Sequence, residues 1–243
     1  MADKPRIITA RSLGLAFQNL FGQLGPEISL TGHHSAGARA RNWREGVARV
    51  KQFHADHKAK GWGGIGYHFM IVDDGALICA RPTILKGAHV GGHNTENLGV
   101  SCPGTTGDRP TPQQKATYRW LLANAHTAAM PKAHRTDRDL RRARLFGHRD
   151  WPGHKSNACP GTFYGMFKAG LAKEVPAEFE KAEIPKGPVE CAEPTVHGTT
   201  EADHSHLSPE EAKAAMNTDE VAEELPEEDP KFDEVLKLAE VQQ

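Results

Sequence analysis

Residues 147–161 read GHRDWPGHKSNACPG. The stretch sets His148 and Cys159 on either side of a tight Trp-Pro-Gly turn, with Lys155 between them. A short strand is read at 144–147, which delivers His148, and 162–173 reads as a closing helix. More than a hundred residues upstream, TGHHSAG at 31–37 adds His33 near the end of a strand expected over 27–35. Its small residues give the chain a tight exit.

Between these two stretches the pattern alternates strand and helix. Residues 42–60 carry Val47, Val50 and Phe53 among charges, with Asn42 placed as N-cap, which predicts a helix covering one face of a sheet. IGYHFMIV at 65–72, the turn signal Asp73-Asp74-Gly75 and a return over 76–80 predict a hairpin. A Gly-rich loop follows, then a short strand at 98–102. A helix is expected over 112–130, with Thr111 as N-cap and Pro112 in the first turn. The fold class is therefore α/β (α+β), a single central mixed β-sheet flanked by helices. Residues 1–27 read as an N-terminal lead-in and 28–174 as the catalytic domain.

From residue 175 to 243 Pro, Glu and Ala dominate, and the expected form is an acidic, partly disordered extension. One short helix is expected from the capping box Ser208-Pro209-Glu210-Glu211, and another from Asp229-Pro230 with Phe232, Val235, Leu236 and Ala239 on one face. The net charge of −1 conceals this division. Residues 1–171 hold 24 Lys and Arg against 11 Asp and Glu, a balance of +13, and residues 172–243 hold 6 against 20, a balance of −14. The basic part suits a polyanionic target. Its basic residues are dispersed and no nucleic-acid motif accompanies them, so nucleic acid is not the expected partner. The acidic tail offers a docking segment for a partner or for the basic domain itself. No apolar run reaches the length of a membrane span, and the opening residues do not read as a signal peptide. Synthesis in a reducing cytoplasm is the expectation, and four cysteines in 243 residues do not form a disulfide scaffold.

His33, His148 and Cys159 are the candidate ligands of one zinc ion. Two neutral imidazoles and a thiolate leave the fourth position of a tetrahedral site open, as catalytic zinc requires. The rival reading is open at this stage: the chain has 14 histidines, His34 and His154 are neighbours that could be taken for ligands, and a cysteine is often only a small buried side chain.

Four segments in order, HHSAG, GIGYHFMI followed by DDG, GAHVGGHNTENLGV, and GHRDWPG…ACPG, span roughly residues 28–172. In them the chain resembles the type-2 N-acetylmuramoyl-L-alanine amidase family, which includes phage amidase endolysins and animal peptidoglycan recognition proteins. The resemblance implies an amidase-2/peptidoglycan-recognition-like fold and cleavage of the amide between N-acetylmuramic acid and L-alanine in peptidoglycan. It implies zinc held by His33, His148 and Cys159. Tyr67 would stand beside the attacking water, and His89 and Asn94 would edge the substrate groove, either contacting the glycopeptide or holding the loop; His68 and His93 are read as structural. Phage members carry an oxyanion-stabilising lysine two residues before the cysteine, where this chain has Asn157; Lys155 lies four residues before it, so the donor is Lys155 on a longer loop or Asn157. Recycling amidases carry a glutamate where this chain has Ser101, with Glu96 falling in the preceding loop. The resemblance is thus to the lytic phage type, which reaches the cell wall after release through a holin-type route. A non-catalytic peptidoglycan-binding protein and a cytosolic anhydromuropeptide-recycling amidase are the alternatives.

Overall fold

The computed structural model describes residues 3–18 and 29–187. Six strands form one sheet: β1 (Ile7–Thr9), β2 (Ser29–His34), β3 (Phe69–Ile71), β4 (Leu77–Cys79), β5 (Asn97–Cys102) and β6 (Arg144–Gly147). Their spatial order is β1-β4-β3-β5-β2-β6. Only the β3–β4 pair is antiparallel; it is the hairpin read at 65–80, closed by Gly75 at φ 86°. The remaining pairs are parallel, so the sheet is mixed, as expected.

Alternation along the strands divides the core in two. Leu30, Phe69, Ile71, Leu77, Leu98 and Val100 face one side of the sheet, where they pack with Tyr118, Leu121 and Phe167. Met70 and Ile78 face the other, against Val47 and Val50. The covering helices are α1 (Trp43–Ala59) on the second face and α2 (Pro112–Asn124) with α3 (Tyr164–Ala169) on the first. Cover on both faces accounts for the burial of every residue of β2, β3, β4 and β5, polar ones included.

The caps act as read. Asn42 Oδ1 accepts from the N–H groups of Arg44 and Glu45 at 3.0 and 3.1 Å. Thr111 and Gln114 form a reciprocal capping box at the start of α2. Two helices are shorter than their patterns. α2 stops at Asn124, where the Thr127 hydroxyl donates to the Asn124 carbonyl and turns the chain. The helix expected over 162–173 is a short 3₁₀ turn, Gly161–Phe163, followed by α3, which Gly170 ends at φ 58°.

One strand escaped the sequence reading. Ile7–Thr9, within the expected lead-in, pairs with β4 at the edge of the sheet. At the other end, α4 (Ala177–Glu180) packs on α3, with the rings of Tyr164 and Phe179 at 6.2 Å. The two helices expected near residues 208 and 230 lie outside the described residues.

Candidate metal centre

The parallel strands β2, β5 and β6 run side by side and end on the same side, where ligands gather in open α/β sheets. His33 is the penultimate residue of β2, and His148 directly follows β6. Strand alternation separates the two histidines of the pair. Leu30 and Gly32 face α3, so His34 does too, while Thr31 and His33 face the side where Tyr67 lies. His34 accordingly meets the Thr106 hydroxyl at 3.1 Å rather than the centre.

Room for this arrangement comes from glycines. Gly32 and Gly147 are register partners across β2 and β6, and each immediately precedes a candidate ligand. A Cβ on Gly32 would stand 2.1 Å from the Phe167 ring, and one on Gly147 2.7 Å from Tyr164. The close approach of α3 therefore depends on both. Asp150 ties the turn after β6 to this helix: it accepts from Gly147 N, the Tyr164 hydroxyl and Lys168 Nζ at 2.9, 2.9 and 3.1 Å.

Among the described residues, His33, His148 and Cys159 form the one cluster of potential metal donors, their ligand atoms all within 4.8 Å of one another. Cys159 Sγ and His33 Nδ1 are 3.7 Å apart. Tetrahedral zinc with bonds of about 2.0 Å to N and 2.3 Å to S would set such atoms roughly 3.4–3.6 Å apart. All three residues are buried, and His148 Nδ1 has no hydrogen-bond partner. An orphaned buried nitrogen is costly unless something fills it. The donor set and this nitrogen fit a zinc ion.

The other ring nitrogens are engaged. His33 Nε2 lies 3.1 Å from His89 Nδ1, and His89 Nε2 lies 3.1 Å from the Asn97 carbonyl. A carbonyl only accepts, so His89 Nε2 carries the proton, His89 Nδ1 accepts from His33, and the His33 Nδ1 lone pair is left facing Cys159. On the other ligand, His148 Nε2 lies 3.2 Å from His154 Nδ1, and His154 Nε2 lies 3.1 Å from the Gly91 carbonyl.

Burial lowers the basicity of these imidazoles, and neighbouring imidazoles add to it. His33 falls well below the usual histidine range through burial and then His148. His148 is held down to about 3 by burial and then His154. Both are thus neutral near pH 7, the state a ligand requires.

The remaining expected site residues are distributed unevenly. Tyr67 is buried, its ring 5.3 Å from that of His33. His89 is buried against His33, packed so closely between Gly87 and Gly99 that a Cβ on either would stand 2.6 or 2.7 Å from its ring. Asn94 Oδ1 accepts from the N–H groups of His89 and Val90, both at 2.9 Å, and so holds the loop. Asn157 is buried and its Oδ1 accepts from Cys159 N at 2.9 Å. Lys155 is exposed on the same loop. Ser101 is the register partner of His33, buried, with no partner for its hydroxyl.

Sequence reading missed a network beside the ligands. Trp151 Nε1 donates to Thr31 Oγ1 at 2.9 Å, Thr31 Oγ1 donates to Asn97 Oδ1 at 2.9 Å, and Asn97 Nδ2 donates to the His93 carbonyl at 2.7 Å. His93 stacks on Trp151 with ring centroids 4.9 Å apart. Strand alternation placed Thr31 on the His33 face; nothing in the sequence paired it with a residue 120 positions away.

Residues 28–162, more than half of the chain, match the N-acetylmuramoyl-L-alanine amidase domain family. The endolysin of Escherichia phage T7 is 32% identical over 118 residues, 42% of this chain and 75% of that protein. Peptidoglycan-recognition protein SC2 of Drosophila simulans is 29% identical over 132 residues, 54% of this chain and 66% of that protein. In fold, the chain is similar to Drosophila PGRP-LB, with a TM-score of 0.54 at 21% identity over 75% of this chain and 99% of that one. The chain belongs to the N-acetylmuramoyl-L-alanine amidase family. Its activity is that of a peptidoglycan amidase. No helix among the described residues is long and apolar enough to cross a membrane.

Proposed function

We propose that the amidase is zinc-dependent, with His33, His148 and Cys159 as ligands, and that it cleaves the amide joining the lactyl group of N-acetylmuramic acid to the first L-alanine. The observation that carries this reading is the buried cluster of three donors with an orphaned nitrogen on His148. A zinc ion there supplies Lewis acidity toward the scissile carbonyl and lowers the pKa of a coordinated water from about 15.7 to about 7.

The protein's own groups do the rest. Tyr67, beside His33, orients the attacking water and takes part in moving its proton. Lys155 donates to the oxyanion of the tetrahedral intermediate; it is exposed and able to swing toward substrate, whereas the Asn157 side chain is buried and its amide is pinned in place by the bond from Cys159 N to Oδ1. His89 holds the His33 tautomer, and Asn94 holds the loop that edges the groove. Solved relatives bound to tracheal cytotoxin, among them a Drosophila PGRP-LB variant, support a muropeptide substrate.

Phage endolysin relatives support a lytic protein that acts on the wall after release. The domain division proposed is a lead-in over 1–27, a catalytic part over 28–174 and an acidic extension over 175–243. Zinc content and wall lysis of Cys159→Ala beside the parent test the proposal. The expected variant holds little zinc and lyses walls at least 100-fold more slowly, on the order of a lost catalytic group. Full zinc and full lysis in the variant would end the reading.

A further inference from the structure

His154 is six residues from His148 and outside the cluster of donors that could share an ion. Its Nδ1 lies 3.2 Å from His148 Nε2, the two rings 4.8 Å apart, and its Nε2 lies 3.1 Å from the Gly91 carbonyl. The carbonyl has no proton to give, so His154 carries its proton on Nε2 and presents a lone pair at Nδ1. That lone pair requires a proton on His148 Nε2. The proton can then not sit on His148 Nδ1, the orphaned nitrogen, which is the one left to serve the donor cluster once Nε2 is engaged by His154.

We infer that His154 is a positioning residue for the metal centre: it fixes His148 in the Nε2–H tautomer and so presents Nδ1 to the ion. The inference rests on the zinc reading above and adds to it. The arrangement repeats the one at His33, where His89 plays the same part against the Asn97 carbonyl. The relays end on carbonyls six residues apart, at Gly91 in the loop before β5 and at Asn97, the first residue of β5, so one short segment of chain sets the proton positions of both ligand histidines. His93 provides an internal comparison. It joins the same two loops, through Nε2 to the Pro152 carbonyl at 3.2 Å and by stacking on Trp151, and it meets the His154 ring edge-on at 6.0 Å, but its ring makes no hydrogen bond to a ligand histidine.

Four chains separate positioning from general bracing: the parent, His154→Ala, His154→Asn and His93→Ala. An asparagine at 154 keeps an acceptor near the place of Nδ1, and alanine does not. Zinc dissociation constants are read by competition with a chromophoric chelator, and the His148 tautomer in the zinc-free protein by ¹⁵N NMR of its ring nitrogens. His154→Ala is expected to bind zinc about 10–100-fold more weakly, the usual effect of removing an outer partner of a ligand, and to lose the single Nε2–H signature. His154→Asn is expected to recover most of the affinity, and His93→Ala to bind within about twofold of the parent. Equal weakening in His93→Ala and His154→Ala, or parental affinity and tautomer in His154→Ala, would overturn the inference while leaving the zinc site standing. Complete loss of zinc in His154→Asn would make His154 a ligand and overturn it as well. A parent chain that binds no zinc sinks both readings.

Discussion

Gly32→Ala is the smallest change that tests how the centre is built. The added Cβ would lie 2.1 Å from Cδ2 and Cγ of Phe167 and 2.6 Å from its Cδ1. Carbon atoms pack at about 3.5–4.0 Å, so the ring and the strand must part by roughly 1.4 Å. The ring has little freedom to move. Phe167 is fully buried, the Tyr118 ring meets it edge-on at 5.2 Å, and the Tyr118 hydroxyl donates to the Phe167 carbonyl at 3.1 Å. Overpacking of this kind costs about 1–3 kcal/mol, and the doubly pinned ring places this case near 3. Phe167→Ala alone should cost about 3–5 kcal/mol by leaving a cavity. In the double variant the new methyl enters the vacated space, so the two costs should fall short of their sum by about 2 kcal/mol. Urea denaturation of all four chains supplies the cycle, with the slope against denaturant checked for constancy. His33 is the next residue, so zinc affinity should fall in Gly32→Ala and return in part in the double variant. A Gly32→Ala chain within about 0.5 kcal/mol of the parent, or strict additivity in the cycle, would refute the packing argument.

Other outcomes are equally open to measurement. Burial holds His57 down to about 3 and His68 well below the usual range, and both make backbone hydrogen bonds as neutral rings. Because their folded pKa values lie below the unfolded value, the unfolded chain takes up protons that the folded chain refuses. Their contribution is complete above about pH 6.5 and is lost as pH falls below it, for His57 down to about 3, at about 1.4 kcal/mol per pH unit for each. Urea midpoints should therefore fall steadily between about pH 6.5 and pH 4, and a flat profile there would contradict the burial assignment. Removing zinc with a chelator should lower stability by about 2.7 kcal/mol relative to protein in zinc at 100 times its dissociation constant, seen as a lower melting temperature; coincident melts would speak against a bound ion. Lys155→Met should reduce the rate of wall lysis about 10²–10³-fold with zinc content intact, and a rate near that of the parent would move the oxyanion donor elsewhere. A chain ending at residue 187, assayed beside the full chain at low and high salt, tests whether the acidic extension covers the basic part: relief that vanishes at high salt is the expected mark of self-cover, and equal rates in both would exclude it.

Much of the scaffold could be read from residue patterns because local signals and burial agree there. Asn42, the Thr111 capping box and the Asp73-Asp74-Gly75 turn each specify a boundary within a few residues. β1 was missed because three residues in a weakly patterned, Gly-rich lead-in carry no period, and its partner Leu77–Cys79 is some 70 positions away. At the centre, strand period explains why His33 and His34 part company, and order of motifs identified the three donors. Lys155 and Asn157 could not be told apart in sequence, since the choice turns on burial and on how the folded loop holds the Asn157 amide, pinned through Oδ1 to Cys159 N. The role of His154 was hidden for a similar reason: its partners are a ring nitrogen and a main-chain carbonyl brought together only by the folded loops.

The seating of β6 on the outer side of β2 has a consequence for the chain as it is made. β2 leaves the ribosome carrying His33, and the strand that flanks it follows only after roughly a hundred further residues, about 5–20 s of synthesis at ordinary rates. Through that interval the outer main-chain groups of β2 have no neighbour, and a bare strand edge is open to pairing with any other extended segment. The thiolate emerges later still. A metal held as proposed would load only once the stretch carrying Cys159 is made, and until β6, the last of the described strands, is in place β2 keeps an unpaired edge.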